Sequence, residues 1–507
     1  MPFRNFPLNI GLLLTVGILF ATFSPPVGVF AAHPQQAAYG NKLDGFFATQ
    51  MAAYKIPGMS VAIVRDGRAE YLKGYGVANS NGNPVTPETP FLLASVSKTF
   101  TALGVMQLVE AGKISLDDPV KKHLPWFTIV GEGGETITVA HLVYHTSGFS
   151  QRVGEEMNEL PIAPDGLEAG VRGLSGQKLN FSPGHGWEYS NANYSVLGLL
   201  IQEVSGQRFE DYIQQNIFDP LEMKNSYTSL ADARAGNAAS GYYPFFGIPL
   251  VYDESMPYAT ATLPTGGLWS SAADMSRYLL AHLNGGQYES AALLSAESVE
   301  MLHTPGTEIF PDYHYAMGWF HAPGLLDREF LDTLSTELKQ YDDMETLWHE
   351  GEWLNYRSIA LMLPELDYGV VVLMNINDRT VASVYKNIAW DVTLIATGGE
   401  AYYFPPTEDF IVRYSLWIFS GVAVLLLGGL LWSLRWRNNS WRTLIPLPVN
   451  LGLLAYLHLN LLPENDVNIP ILLRGAPDLG ILVSLVTLLA IGWSVTSLLP
   501  FLKTGPK

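Results

Sequence analysis

The sequence predicts an α+β fold, in which one antiparallel sheet flanked by terminal helices carries an inserted, mainly helical lobe. Three observations support this: β-rich runs near the start of the main domain, further β-rich runs near its end, and a long stretch of helices and loops between them. A small transmembrane helical region follows. With 507 residues, the chain is long enough for one large domain plus such an addition.

The two ends of the main domain supply the strands of the predicted sheet. The runs 59–65 and 69–77 are rich in β-formers and are joined across Asp66-Gly67, a strong hairpin signal. Apolar residues of 42–54 before them have helical spacing. The later part of the domain repeats this pattern in reverse, with three runs typical of strands and then a helix-like segment: 347–350, 356–363, 368–374 and 379–396.

Composition excludes several classes of function. The formal net charge is -19, from 29 Lys+Arg against 48 Asp+Glu, which excludes a nucleic-acid partner that would need clustered cations. The chain has no cysteine, which excludes disulfides, thiolate catalysis and cysteine-bound zinc. No histidine–carboxylate set has a metal-ligand spacing, and no cofactor is expected.

The amino-terminal residues 1–32 have the pattern of a secretory signal peptide. Arg4 precedes an apolar run from Leu8 to Phe23, and Ala31-Ala32 are small residues suited to cleavage. An uncleaved amino-terminal anchor is the alternative. Either interpretation predicts that the following domain, 33–405, lies outside the cytoplasm.

The carboxyl-terminal region 406–507 is predicted to be a membrane anchor of three helices. Its apolar segments are each long enough to cross a hydrocarbon core of about 30 Å: roughly 410–433, 443–462 and 479–502. Cations follow the first and third segments: Arg435, Arg437 and Arg442, then Lys503 and Lys507. The positive-inside rule therefore predicts a multi-pass protein with a cytoplasmic carboxyl terminus and an extracytoplasmic main domain.

A Ser-x-x-Lys pattern supplies the candidate nucleophile. Three residues apart on a helix, the two side chains share one face, and a lysine of lowered pKa can take the serine proton. The pattern also occurs at Ser175–Lys178, in a Gly-rich loop, and at Ser383–Lys386, inside the predicted terminal helix. Only Ser95–Lys98 lies where a strand-like apolar run meets a helix start, close to free backbone N–H groups.

Four segments in order resemble the serine β-lactamase-related family. They are 93–102 (Leu-Ala-Ser-Val-Ser-Lys-Thr-Phe-Thr-Ala), 142–149 (Leu-Val-Tyr-His-Thr-Ser-Gly-Phe), Tyr189-Ser190-Asn191, and 264–271 (Pro-Thr-Gly-Gly-Leu-Trp-Ser-Ser). The family holds class C β-lactamases, low-molecular-weight penicillin-binding proteins, D-aminopeptidases and related esterases. The resemblance covers about residues 40–400 and implies a β-lactamase/transpeptidase-like fold.

The resemblance also implies roles for the matching residues. Ser95 would be the nucleophile, with Lys98 and Tyr189 moving protons, and Asn191 would orient Lys98 and bind a substrate carbonyl. A phenol becomes a usable base only when cations hold its phenolate, and Lys98 could supply that charge. The segment around His145 is expected to shape the lobe. The Ser-Asp-Asn triplet of class A enzymes is missing here, which disfavours a glutamate base.

Two segments of this chain are candidates for the family's third motif, Lys-Thr-Gly. A literal Lys503-Thr504-Gly505 is predicted to be cytoplasmic, across the membrane from Ser95. His349-Glu350-Gly351 lies on a predicted strand instead, and His-x-Gly replaces Lys-Thr-Gly in many peptidase- and esterase-like members. By this resemblance His349 would contact substrate, Gly351 would permit its close approach, and the N–H of Glu352 would share an oxyanion hole with Ser95.

The sequence therefore predicts a serine hydrolase that acts through an acyl-enzyme. Its substrates would be D-amino-acid peptides of the cell wall, β-lactams or small esters, and its other partner would be the lipid bilayer. The alternative is a weakly catalytic, penicillin-binding-like module that senses or binds a ligand in the cell envelope. Sequence leaves the substrate, signal cleavage, oligomeric state and any further task of the spans open.

Overall fold

The computed structural model describes residues 34–130, 133–252, 259–324, 344–403, 406–408, 410–435, 446–462 and 469–502. The predicted signal peptide and the Lys503-Thr504-Gly505 tripeptide lie outside the described residues. Within them, the predicted α+β architecture is confirmed. An eight-stranded antiparallel sheet is covered by helices on both faces, and apolar helices follow it at the carboxyl end.

The sheet is built from both ends of the domain, as predicted. Its strands are β1 (Gly58–Arg65), β2 (Arg68–Gly76), β3 (Thr307–Phe310), β4 (Tyr313–Tyr315), β5 (Phe320–Pro323), β6 (Glu345–Glu352), β7 (Arg357–Leu363) and β8 (Tyr368–Met374). Their spatial order is β2-β1-β8-β7-β6-β5-β4-β3. The first hairpin therefore pairs with the last strand, with Met59 opposite Met374. Strands β3, β4 and β5 extend the sheet beyond the predicted strands.

Alternating side chains of the central strands serve two separate cores. Val370 and Val372 of β8 pack with Phe47 and with Ile388, which belong to helices α1 (Pro34–Tyr54) and α5 (Ala382–Ala396). Val371 and its alternate neighbours pack against the inserted lobe on the other face. Because both faces are buried, β7 and β8 are apolar without interruption.

The inserted lobe holds the longer helices that surround the candidate site. They are α2 (Ser97–Glu110), α3 (Asn191–Ser205) and α4 (Ala272–Leu283). Its shorter helices are Val120–His123, Val139–Val143, Gln151–Glu156, Gly166–Gly173, Phe209–Ile213, Leu230–Ala235, Leu263–Gly266 and Ala296–His303. Three small strand pairs complete it: Phe91–Leu92 with Trp269–Ser270, Tyr242–Phe245 with Ile248–Val251, and Gln287–Tyr288 with Ala291–Ala292.

Two described carboxyl-terminal helices are long and apolar enough to cross a membrane: α6 (Ser415–Arg435) and a second helix that is apolar over Pro477–Leu498. The predicted middle span, 443–462, contains a shorter α-helix, α7 (Pro446–Ala455), which continues as a π-helix over Tyr456–Leu461. The second long helix, α8, runs over Pro477–Leu502 and packs with α6 and α7 around a small apolar cluster.

Candidate active site

Ser95 lies in a tight turn between a short strand and helix α2. Strand Phe91–Leu92 is followed by a 3₁₀ turn, Ala94–Val96, which leads directly into the helix. Ala94 has a φ of 45°, a left-handed conformation that strains a residue with a Cβ atom. The neighbours of Ser95 in this turn are buried, whereas Ser95 itself is partly exposed. The turn therefore presents the serine hydroxyl at the start of the helix.

Lys98 is fully buried one turn further along and contacts Ser95. Its Nζ lies 3.1 Å from Ser95 Oγ, 2.8 Å from Asn191 Oδ1 and 2.8 Å from the carbonyl oxygen of Thr265. Burial lowers the pKa of Lys98 well below its ordinary value. A neutral amine donates two N–H groups and accepts at one lone pair. With the two donors directed to Asn191 and Thr265, the lone pair is left to accept the Ser95 proton.

Tyr189 and Asn191 complete the group of predicted residues that the structure brings together. Lys98 Nζ lies 4.8 Å from the centroid of the Tyr189 ring. Burial raises the pKa of the Tyr189 phenol, and the Ser95 hydroxyl partly opposes this shift. The phenol therefore stays protonated near neutral pH and is placed to donate a proton rather than to start as a phenolate. Asn191 begins helix α3, and its Nδ2 forms no bond within the described part of the chain.

His145 packs behind Tyr189 and ties the lobe together. Its Nδ1 accepts hydrogen bonds from the Ser190 N–H at 3.2 Å and from Asn193 Nδ2 at 2.8 Å. The His145 and Tyr189 rings lie with centroids 4.5 Å apart. Burial lowers the pKa of His145 well below its ordinary range, so the ring stays neutral. These contacts fix the Tyr189 ring, which agrees with the expectation that this segment shapes the lobe.

His349 lies on β6 beside Tyr189 but is almost fully buried, with 1% of its surface exposed. Its Nδ1 donates to the carbonyl oxygen of Glu350 at 2.7 Å, and its Nε2 accepts from the Tyr315 hydroxyl at 3.3 Å. Burial lowers the pKa of His349 to about 3. Both ring nitrogens therefore have partners in a neutral imidazole, which cannot serve as a cation for a substrate carboxylate.

Gly351 is required for packing of β6 against the nucleophile turn. A Cβ atom there would lie 2.1 Å from the carbonyl oxygen of Leu93 and 2.1 Å from Ser358 Oγ. The Ser358 hydroxyl donates to that same carbonyl oxygen at 2.5 Å. The space left by the missing side chain is thus filled by protein, whereas the sequence predicted room for substrate. Strand β6, which carries His349, therefore packs directly against Leu93, two residues before Ser95.

The N–H of Glu352 lies on the edge of β6 that faces away from β7. The Trp353 N–H donates to the Tyr356 carbonyl at 3.0 Å, and Glu352 lies opposite Arg357. Because antiparallel strands alternate the direction of their N–H groups, the N–H of Glu352 points away from β7. On that side β5 pairs no further along β6 than Trp348. The carboxylate of Glu352, in contrast, contacts Arg357 at 2.8 Å.

Three supporting residues carry no motif that assigned them a role from sequence. Thr265 holds Lys98 through its carbonyl oxygen, Tyr315 holds His349, and Ser358 bonds the turn before Ser95. Thr265 lies inside segment 264–271, which resembles the family, and this resemblance is the sequence signal that could have identified it. The other two are recognisable only once strands β4 and β7 are placed in the sheet.

The other Ser-x-x-Lys pairs lie elsewhere in the described chain. Ser383 Oγ accepts from the N–H of Thr407 at 3.0 Å, in helix α5 on the opposite face of the sheet. Ser175 follows helix Gly166–Gly173 in a loop, as predicted. Within the described residues, no group of three or more His, Asp or Glu side chains could hold a metal ion.

Comparisons with known proteins support the identity of the fold. The chain is 30% identical over 338 residues to the protein flp of Staphylococcus aureus (strain MW2), covering 66% of this chain and 62% of that protein's length. It is 33% identical over 269 residues to PbpX of Bacillus subtilis (strain 168), covering 52% and 61%.

A solved structure and a family model agree with these relatives. The octameric penicillin-binding protein homologue from Pyrococcus abyssi superposes with a TM-score of 0.60 and 28% identity, covering 75% of this chain and 81% of the other. The family model described as Beta-lactamase matches residues 43–394, which is most of the chain. The chain belongs to the Beta-lactamase family.

Proposed function

We propose that the protein is a membrane-anchored, extracytoplasmic serine hydrolase that acts on esters or amides through an acyl-enzyme. The observation that carries this proposal is the 3.1 Å contact between Ser95 Oγ and the amine of a fully buried lysine, Lys98. A buried lysine is costly to retain unless its neutral amine is used. Membership of a family whose members are generally serine hydrolases supports the same conclusion.

In the proposed mechanism, the Lys98 lone pair takes the Ser95 proton as Oγ attacks the substrate carbonyl. The carbonyl oxygen becomes an oxyanion that accepts hydrogen bonds from the backbone N–H groups of Ser95 and Glu352. As the leaving group departs, the Tyr189 phenol donates a proton to it and recovers one from Lys98. Water then attacks the acyl-enzyme and gives a proton to Lys98, and Lys98 returns that proton to Ser95 Oγ as the bond between Oγ and the acyl carbon breaks.

The environment of His349 favours one part of the predicted substrate range. Cell-wall peptides and β-lactams carry a carboxylate, and a cation on the third motif would bind it. Here the corresponding imidazole is neutral, buried and bonded at both nitrogens. The proposed substrates are therefore esters or amides whose group next to His349 is uncharged, with small esters as the first choice for assay.

Membrane anchoring is proposed from the carboxyl-terminal helices. Helices α6 and α8 expose large apolar side chains away from their mutual contact, including Trp417, Leu425 and Leu488. Such surfaces are suited to lipid rather than water. The distribution of cations supports a multi-pass arrangement with the catalytic domain outside, and residues 443–462 remain the proposed third span.

The test is a hydrolysis panel with the purified full-length protein in nanodiscs. Wild type is expected to turn over p-nitrophenyl esters faster than nitrocefin or a D-Ala peptide with a free carboxylate. Ser95→Ala should abolish turnover, and Ser175→Ala, the matched serine of a second Ser-x-x-Lys pair, should retain it. Tight binding without turnover by wild type would instead favour the alternative of a sensing or binding module.

A further inference from the structure

A small hairpin outside the main sheet exposes a cluster of apolar side chains. Strands Tyr242–Phe245 and Ile248–Val251 pair in antiparallel register and are joined by a two-residue turn, Phe246-Gly247. Phe246 is 45% exposed, Ile248 62% and Leu250 48%. Contiguous exposed apolar residues on one short element are typical of a surface that is covered in the working protein.

The turn places Phe246 in a backbone conformation that is unfavourable for an aromatic residue. Phe246 and Gly247 have φ values of 47° and 75°, so both central residues are left-handed, as in a type I′ turn. Asn or Gly adopts that conformation at lower cost than an aromatic residue. In the short hairpin at Gln287–Tyr288, the residue after the first strand is Glu289, with a φ of 50°. One turn thus presents a carboxylate and the other a phenyl ring.

The hairpin is bonded to the beginning of an apolar helix. Asp478, in the first turn of α8, accepts from the Tyr243 hydroxyl at 2.6 Å and from the Phe246 N–H at 2.8 Å. Residues opposite each other in an antiparallel pair share a face, so Leu250 lies on the same face as Tyr243. By the same register, Ile248 lies on the same face of the hairpin as Phe245. Part of the apolar hairpin surface therefore faces the side of α8.

We propose that this hairpin docks onto the lipid bilayer, with Phe246, Ile248 and Leu250 in contact with the outer leaflet. The inference rests on the proposed anchoring of α6 and α8. The exposed Ile481 of α8 lies only about 4.5 Å along the helix axis from Asp478, at 1.5 Å per residue. A bilayer that covers Ile481 thus begins at the level where the hairpin is held, and this continuity selects lipid as the occupant.

Docking would also fix one border of the candidate active site. Asn355 Nδ2 donates to the carbonyl oxygen of Tyr252, the residue after the hairpin, at 2.8 Å. Asn355 lies three residues beyond Glu352, in the loop that follows strand β6. The hairpin thus connects the membrane surface to the strand that carries His349 and Gly351.

Because the natural chain has no cysteine, single cysteines can report the depth of each segment. Ile248→Cys, Leu425→Cys in α6 and Glu289→Cys are each labelled with an NBD fluorophore in the full-length protein. Each is placed in nanodiscs with and without doxyl-labelled phosphatidylcholine. Quenching of at least about twofold is expected for the labels at 248 and 425, with none at 289.

The three labels separate the two proposals. Quenching at 425 without quenching at 248 would overturn hairpin docking and leave the anchor intact. Absence of quenching at 425 would overturn the anchor, and the docking inference with it. Adding Phe246→Asn should keep or raise the melting temperature, because Asn suits the turn, and should weaken quenching at 248. Unchanged quenching in that variant would contradict the lipid contact of Phe246.

Discussion

Replacing Gly351 by Ala is expected to disconnect the strand β6 from the nucleophile turn. The new Cβ atom would lie 2.1 Å from the Leu93 carbonyl oxygen, where ordinary contact begins at 3.4 Å. The gap requires a movement of about 1.3 Å between two backbone segments. Ser358 cannot relieve it alone, because the Leu93 contact is with backbone and its own hydroxyl is equally close.

This displacement sets the size of the expected effect. Misplacement of catalytic groups by about 1 Å can cost roughly 10²-fold in rate. The shift at Gly351 acts on the turn of Ser95 and on the N–H of Glu352 together, so kcat/KM should fall by at least about 10²-fold. Overpacking a core contact costs about 1–3 kcal/mol in the free energy of unfolding. The variant should therefore remain folded with a lowered melting temperature.

The assay combines p-nitrophenyl ester hydrolysis with thermal unfolding of the same sample. Gly45→Ala is the control, because a Cβ atom there has no neighbour within 4 Å and Ala favours its helix. That control should keep full activity with an equal or higher melting temperature. A folded Gly351→Ala variant with activity within about threefold of wild type would refute the assigned packing role.

Three further predictions concern protonation. Lys98→Met should abolish ester hydrolysis yet raise the melting temperature near neutral pH. Because burial lowers the pKa of Lys98, the contribution of Lys98 to the free energy of unfolding is present above the ordinary lysine range and is lost as pH falls through the lowered pKa. The free energy of unfolding of the variant should lack this dependence on pH. In wild type, kcat/KM should rise with pH as Lys98 loses its proton. His349→Asn should leave this rise in place, since the pKa of His349 is about 3. An inflection near pH 6.5 that disappears in His349→Asn would contradict the neutral imidazole. Tyr189→Phe should slow amide hydrolysis by about 10²–10⁴-fold and p-nitrophenyl ester hydrolysis less, because a good leaving group needs no proton; equal losses on both substrates would exclude proton donation to the leaving group.

The sheet was predictable where its strands carry strong local signals. Strands β1 and β2 flank Asp66-Gly67, and β7 and β8 are continuous apolar runs. Strands β3, β4 and β5 have only three or four residues each, which is too short for a sustained alternation of apolar and polar residues. Their pairing depends on the neighbouring strand β6, so local sequence does not indicate it.

The candidate site also has residues that were predictable from the sequence and residues that were not. Ser95, Lys98, Tyr189 and Asn191 carry their chemistry in side chains at ordered spacings, and the structure brings them together. Thr265 acts through a backbone carbonyl, which leaves no side-chain pattern to recognise. The tautomer of His349 likewise depends on a hydroxyl from another strand. Such partners become visible only when tertiary packing is known.

The carboxyl-terminal region shows a similar limit. The predicted segments 410–433 and 479–502 correspond closely to α6 and α8. The described part of the middle segment, 443–462, starts at Pro446 and changes from an α-helix to a π-helix at Tyr456, so its α-helix is shorter than its apolar run suggests. Hydropathy records only how apolar a segment is, whereas helix length also depends on such interruptions.

Active-site labelling tests the central claim most directly. A fluorophosphonate probe reacts covalently with an activated serine, so wild-type protein in nanodiscs should be labelled at one site, with the modified peptide containing Ser95. Ser95→Ala should lose the label and Ser175→Ala should keep it, each with a melting temperature close to that of wild type. Undiminished labelling of folded Ser95→Ala would contradict the assignment of Ser95 as the nucleophile.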